Sequence, residues 1–171
     1  PETRELLGPD QKGEIVARGV GVFSGYHNDV EKTGESFDTE GWFFSGDLGS
    51  IDKHGRVAFL GRLKDMLKVG GENVASVEIE GYLATHPKIK LSAVVGLQDE
   101  KYGEVPVAFV ELKPGEEATE AEIIKFCKGE IASFKVPKHI RFIQEWPMGA
   151  TKILKYELKE RIEKEIATST S

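Results

Sequence analysis

Two patterns of apolar and polar positions divide the chain near Lys64. Before it, residues 13–26, GEIVARGVGVFSGY, alternate and carry several glycines, which predicts short strands with turns between them. The polar segment NDVEKTGESF has helical character. In TEGWFFSGDLGSIDKHGRVAFLGRLKD, two strand-like runs flank Asp52-Lys-His-Gly55, where glycine can take the positive φ of a tight hairpin. After Lys64 the pattern becomes one of alternating strands and helices. Ser76 is positioned to cap a helix whose first turns hold Glu78 and Glu80, carboxylates suited to the positive end of the helix dipole. KLSAVVGLQD, EVPVAFVELK and KHIRFIQEW predict strands. Thr119-Glu-Ala-Glu122 has the form of a capping box, and Ile123, Ile124, Phe126, Cys127 and Ile131 supply the apolar stripe that follows. KYELKERIEKEIA closes the pattern as a helix with Leu158, Ile162 and Ile166 on one face. The expectation is an α+β chain: a β-rich stretch, then a small sheet covered by helices.

Composition narrows the class. With 171 residues, 39% of them hydrophobic, the chain suits one ordinary domain or one domain plus part of another. A net charge of −6 argues against a general nucleic-acid surface, which needs a concentrated positive face. Its apolar runs, such as Val105 to Val110, are too short to cross a bilayer, and no leader is recognisable before Pro1. A start at Pro1 in a turn-like segment suggests a piece of something longer. The single cysteine, Cys127, lies on an apolar helix face and fits an inert core thiol in a reducing compartment, expected to be the cytoplasm. The four histidines show no metal-ligand spacing, so no structural metal is expected.

Three stretches carry chemistry. GWFFSGDLG places one carboxylate, Asp47, in a Ser-Gly-Asp turn after an aromatic strand. GRLKDMLKVGG puts Arg62, Lys64 and Lys68 beside the Gly70-Gly71 pair, followed by Glu72. PMGATKILK sets Lys152 in a small-residue turn before the last helix. Each has a plainer reading: a turn carboxylate, a solvated basic face, a surface lysine. In GVGVFSG, Ser24 stands where a dinucleotide loop has its third glycine, and no helical pattern follows.

Taken together and in this order, GEIVARGVGVFSGY, GWFFSGDLG, GRLKDMLKVGGENVASVEIE and GATKILK resemble the C-terminal portion of the acyl-adenylate-forming superfamily. That superfamily includes acyl-CoA synthetases, aryl-CoA ligases, luciferases and peptide-synthetase adenylation domains. The resemblance runs from about Pro1 to Arg161. It implies that residues 1–63 end a large AMP-binding domain and residues 64–171 form a small mobile domain, with Lys64 as the hinge. It also implies ATP with magnesium, CoA and a carboxylic acid as reactants, and leaves the phosphate loop and acyl pocket outside these residues, so that this stretch alone would be inactive. By the same resemblance Asp47 and Arg62 meet the ribose and phosphate of the nucleotide. Lys152 serves adenylation. Lys68, Gly70, Gly71 and Glu72 form the loop presented to the acyl-adenylate and CoA, the glycines letting the pantetheine arm pass close to backbone. One departure stands out: relatives commonly read Thr-Gly-Lys where this chain has Thr151 directly before Lys152, which makes Lys155 a rival for the role.

The wording is most like a fatty acyl-CoA synthetase, with an aryl- or alicyclic-acid CoA ligase as the alternative. Two further readings stay open: an adenylation domain that loads a carrier protein, and a freestanding non-catalytic α+β binding module.

Overall fold

The computed structural model describes residues 4–169 and is mixed α+β, in two compact units, Pro1–Lys64 and Asp65–Ser171. The first unit is built on a three-stranded antiparallel sheet of β1 (Gly13–Ala17), β2 (Phe43–Ile51) and β3 (Val57–Arg62), in that order, with helix α1 (Val30–Ser36) between β1 and β2. Asp29 caps α1 by accepting the Lys32 N–H at 2.9 Å. The β2–β3 hairpin turns where expected: Gly55 has φ +76°, and Asp52 Oδ1 accepts the N–H groups of His54 and Arg56 at 2.8 and 2.9 Å. Gly49 is demanded by packing, since a Cβ there would lie 2.7 Å from the Ala58 carbonyl oxygen and 2.6 Å from Ile15 Cδ1.

The expectation of several strands over residues 13–26 is corrected. Only Gly13–Ala17 is a strand. Beyond it the chain turns, and Phe23 packs edge-on against Tyr26, Phe37 and Phe43 with ring centroids 5.0–5.4 Å apart. An aromatic cluster has taken a residue that a strand would have lined up in a ladder.

The second unit holds β4 (Met66–Val69), β5 (Glu72–Ala75), α2 (Ser76–Leu83), β6 (Ile89–Asp99), β7 (Gly103–Leu112), α3 (Glu120–Cys127), β8 (His139–Phe142) and α4 (Lys155–Ser169). The sheet runs β5-β4-β7-β6, and β8 adds to β7 in parallel. Because β6 pairs along the whole of β7, β4 and β8 share its other edge: β4 meets it at Gly103, and β8 runs beside Val107–Val110.

Both faces of this sheet are covered, which explains the unbroken apolar run in β7. Val94, Ala108 and Val110 pack with Ile79 and Leu83 of α2 and Ile123 and Cys127 of α3. Their sequence neighbours Ala93, Val95, Val107 and Phe109 pack on the other side with Leu158 and Ile162 of α4. The period-two alternation sorts residues between two cores rather than between core and solvent. Burying a side chain such as Phe109, 2% exposed, contributes about 1.5–3 kcal/mol.

Two cap expectations change. Ser76 is not the cap of α2 but its first residue, with Ala75 at the cap and no side-chain bond there. Its buried hydroxyl accepts instead from Lys155 Nζ at 2.8 Å. Thr119 does cap α3, accepting the Glu122 N–H at 3.2 Å, but the Glu122 carboxylate turns away to Lys88 at 2.8 Å and leaves the box open. Ile131 lies past the end of α3 yet still packs on the same core.

Candidate functional site

Asp47 and Arg62 are brought together by register. They are direct partners across β2 and β3, and Arg62 Nε lies 2.7 Å from Asp47 Oδ1. The contact is ionic rather than an aligned hydrogen bond. Oδ1 is buried and accepts no hydrogen bond among the described residues, while the side chain as a whole is 26% exposed. Held against a guanidinium through its buried Oδ1, the carboxylate keeps Oδ2, with two lone pairs, to receive donors from a ligand.

Lys68, Gly70, Gly71 and Glu72 form one structure, which is a β-hairpin rather than a loop. Val69 pairs with Glu72, so Gly70 and Gly71 are a two-residue turn with φ +60° and +88°. Positive φ at both positions is the mark of a type I′ turn and by itself demands glycine or asparagine. The turn is docked sideways, its Gly70 N–H donating to the Tyr102 carbonyl at 2.7 Å. The Tyr102 loop is itself held. Asp99 accepts from Lys138 Nζ, which keeps its carboxyl below the ordinary range, and from the N–H groups of Tyr102 and Lys101. Lys68 is exposed at the hairpin edge, its ammonium unpaired among the described residues.

Lys152 sits at the tip of a second small hairpin. Gly149 N–H donates to the Lys152 carbonyl, and Leu154 N–H to the Pro147 carbonyl, both at 2.8 Å. Both feet of this turn are pinned. On the incoming side Trp146 Nε1 donates to Glu111 Oε2 at 2.7 Å, and that carboxyl is held low by Lys90 and then by the indole. On the outgoing side Lys155 Nζ lies 2.6 Å from Glu80 Oε1. Lys152 is exposed with no ion pair among the described residues, whereas its rival Lys155 is committed to α2. Lys64 lies in the 3-10 turn Leu63–Asp65 and is the last residue of the first unit.

Cys127 is inert. It is wholly buried, and burial pushes its thiol up to about 11. Sequence reasoning gave Glu80 only a helix-dipole role and missed Glu104 and Glu111; these carboxylates hold the functional segments, and each acts on a residue far away along the chain.

A mixed sheet with helices on both faces, carrying a lysine turn and a glycine hairpin, defines a known class. Residues 78–152 match the AMP-binding enzyme C-terminal domain. Among its relatives is a mitochondrial medium-chain acyl-CoA ligase, ACSF2, of Danio rerio, 43% identical over 167 residues. The match covers 97% of this chain and 28% of that protein, so the chain spans little more than a quarter of the relative's length. A putative acyl-CoA synthetase, YngI, of Bacillus subtilis is 40% identical over 162 residues, 94% of this chain and 30% of that one. Among solved structures, ATP-bound MatB from Rhodopseudomonas palustris superposes with a TM-score of 0.86 at 37% identity, covering 94% of this chain and 32% of that one. The apo structure of MatB superposes with a TM-score of 0.64 at 38% identity over the same shares.

Proposed function

We propose that the full-length protein is an ATP-dependent acyl-CoA ligase that activates a fatty acid as its adenylate and transfers the acyl group to CoA. The observation that carries this reading is the Asp47–Arg62 pair: a fixed carboxylate with unspent acceptor capacity beside a guanidinium suits a ribose diol and its phosphate. In the first step a carboxylate oxygen of the acid attacks the α-phosphorus, and the bond to pyrophosphate breaks with its electron pair. Two anions meet there, and Lys152, whose ammonium is unpaired among the described residues, counters the charge where it develops. In the second step the CoA sulfur attacks the acyl carbon, AMP departs, and the thiol proton passes to solvent or phosphate. Lys68, on the edge of the glycine hairpin, serves that step.

Using one lysine per step requires a movement of the small domain, residues 64–171, about Lys64. The lower TM-score of apo MatB than of ATP-bound MatB, 0.64 against 0.86, supports such a movement. The resemblance assigns the magnesium that accompanies ATP, the phosphate loop and the acyl pocket to the part of the protein beyond this chain. The chain alone is accordingly inactive. The relative from Danio rerio, a medium-chain ligase, favours a fatty acid over an aryl or alicyclic one. A match over 97% of the chain within a longer ligase counts against the freestanding module. No helix among the described residues is long and apolar enough to cross a membrane, and a reducing compartment suits the lone buried thiol.

The test is carboxylate-dependent ATP–pyrophosphate exchange by the full-length protein across acids of increasing chain length. Lys152→Ala should lower exchange by about 10²–10³. Lys68→Ala should keep exchange and lose thioester formation; equal loss of both steps would refute the division of labour.

A further inference from the structure

The hairpin that carries Lys68 is weakly joined to the rest of its sheet. β4 meets β7 at the single pairing Val69–Gly103. One residue earlier, the Lys68 N–H is directed to a side chain instead of a backbone carbonyl: Glu104 Oε2 accepts it at 2.9 Å. The other oxygen of this carboxylate faces Lys159 Nζ of α4 at 3.5 Å and Gln98 Nε2 of β6 at 3.4 Å. The side chain is 18% exposed and lies over Gly96, where a Cβ would stand 2.9 Å from Oε1 and 3.0 Å from Cδ. Glycine at position 96 thus leaves the space that the carboxylate occupies, and contacts from two other elements hold it there. It reaches across the fork between β4 and β7 and fixes the backbone of Lys68 itself.

We infer that Glu104 is a positioning residue for Lys68, setting where the lysine of the thioester-forming step stands. This rests on the reading of Lys68 above. A carboxylate accepting a backbone N–H is a charge-assisted bond, stronger than a ladder bond of the ordinary kind. It stands where the sheet offers no ladder bond to Lys68. Lys68 lies two residues before the glycine turn, so slack at its N–H moves both the ammonium and the turn beside it.

The test uses the full-length protein and measures the two half-reactions apart: ATP–pyrophosphate exchange, and thioester formation from supplied acyl-adenylate and CoA. Glu104→Ala should slow thioester formation about tenfold, the order expected for losing one charge-assisted bond, while exchange stays within about twofold. Glu104→Gln, which retains an acceptor oxygen for the Lys68 N–H, should recover most of the rate. Deuterium uptake in the peptide spanning Lys68 should rise in Glu104→Ala and return in Glu104→Gln, a readout independent of turnover. Equal loss of both half-reactions, or unchanged thioester formation in Glu104→Ala where Lys68→Ala abolishes it, would overturn the role of Glu104. If Lys68→Ala leaves both half-reactions intact, the reading of Lys68 fails, and this one with it.

Discussion

Lys155, the first residue of α4, places its ammonium 2.6 Å from Glu80 of α2, and the same carboxylate oxygen accepts the Val94 N–H of β6 at 2.7 Å. One side chain therefore ties the last helix to both other layers of its unit. The pair is three-quarters or more buried at each end, so removing the cation leaves a carboxylate short of a partner. Lys155→Met should lower stability by roughly 1–3 kcal/mol, read as a drop in the urea midpoint without a change in slope. Lys152→Ala, three residues earlier and with no partner to lose among the described residues, should leave the midpoint where it was. If both variants behave alike, the pair is only a surface contact.

The glycine hairpin separates two reasons for glycine. Gly71→Ala forces a side chain into φ +88° and should cost about 1–2 kcal/mol, seen as a lower melting temperature. Asparagine tolerates that backbone, and nothing lies within 4 Å of a Cβ at position 71. Gly71→Asn should thus restore most of the stability. Thioester formation that returns with it assigns the glycine to the turn. Thioester formation that stays lost assigns it to the passage of CoA.

Asp47→Asn keeps the shape of the side chain and removes its charge. On the proposed reading it should raise the KM for ATP in the exchange assay by about tenfold or more, through two weakened acceptor bonds to the ribose. The urea midpoint should fall only slightly, because the Arg62 side chain, about half exposed, is rehydrated when the ion pair is lost. An unchanged KM would remove Asp47 from the nucleotide site.

Cys127 gives a pH signature. Burial raises its thiol from about 9 to about 11, so between those values the folded chain keeps a proton that the unfolded chain has released. The stability it contributes is complete below pH 9 and is lost as pH climbs toward 11. Cys127→Ala should flatten that part of the stability curve, whatever packing it costs at neutral pH. Native protein at pH 8 should react with a thiol reagent only as fast as it opens.

Much of the second unit was legible in the sequence, because strands and helices there follow the periods that local burial imposes. The β6 and β7 runs and the faces of α3 and α4 are readable for that reason. The hairpin of β4 and β5 was not, since four residues on either side of Gly70-Gly71 are too few to show a period. Ser76 misled for a different reason: it has the chemistry of a cap, but Lys155, far along the chain, claims its hydroxyl. The candidate site was legible as a set of residues and not as a geometry. That Asp47 faces Arg62 depends on a register shift between Leu48 and Gly49, beside the close approach of three strands at Gly49, and such a shift leaves no period in the sequence.

The two-sided burial of the second sheet also has a consequence for synthesis. α4 is the last element of its unit to be made, and it supplies Leu158 and Ile162 to a face that otherwise bears Val95, Val107 and Phe109. At about 5–20 residues per second, that face waits seconds for its cover after β7 has emerged from the ribosome. Those seconds, with an uncharged and strand-prone run left wet, are when a nascent chain is most open to pairing with a neighbour or to capture by a chaperone.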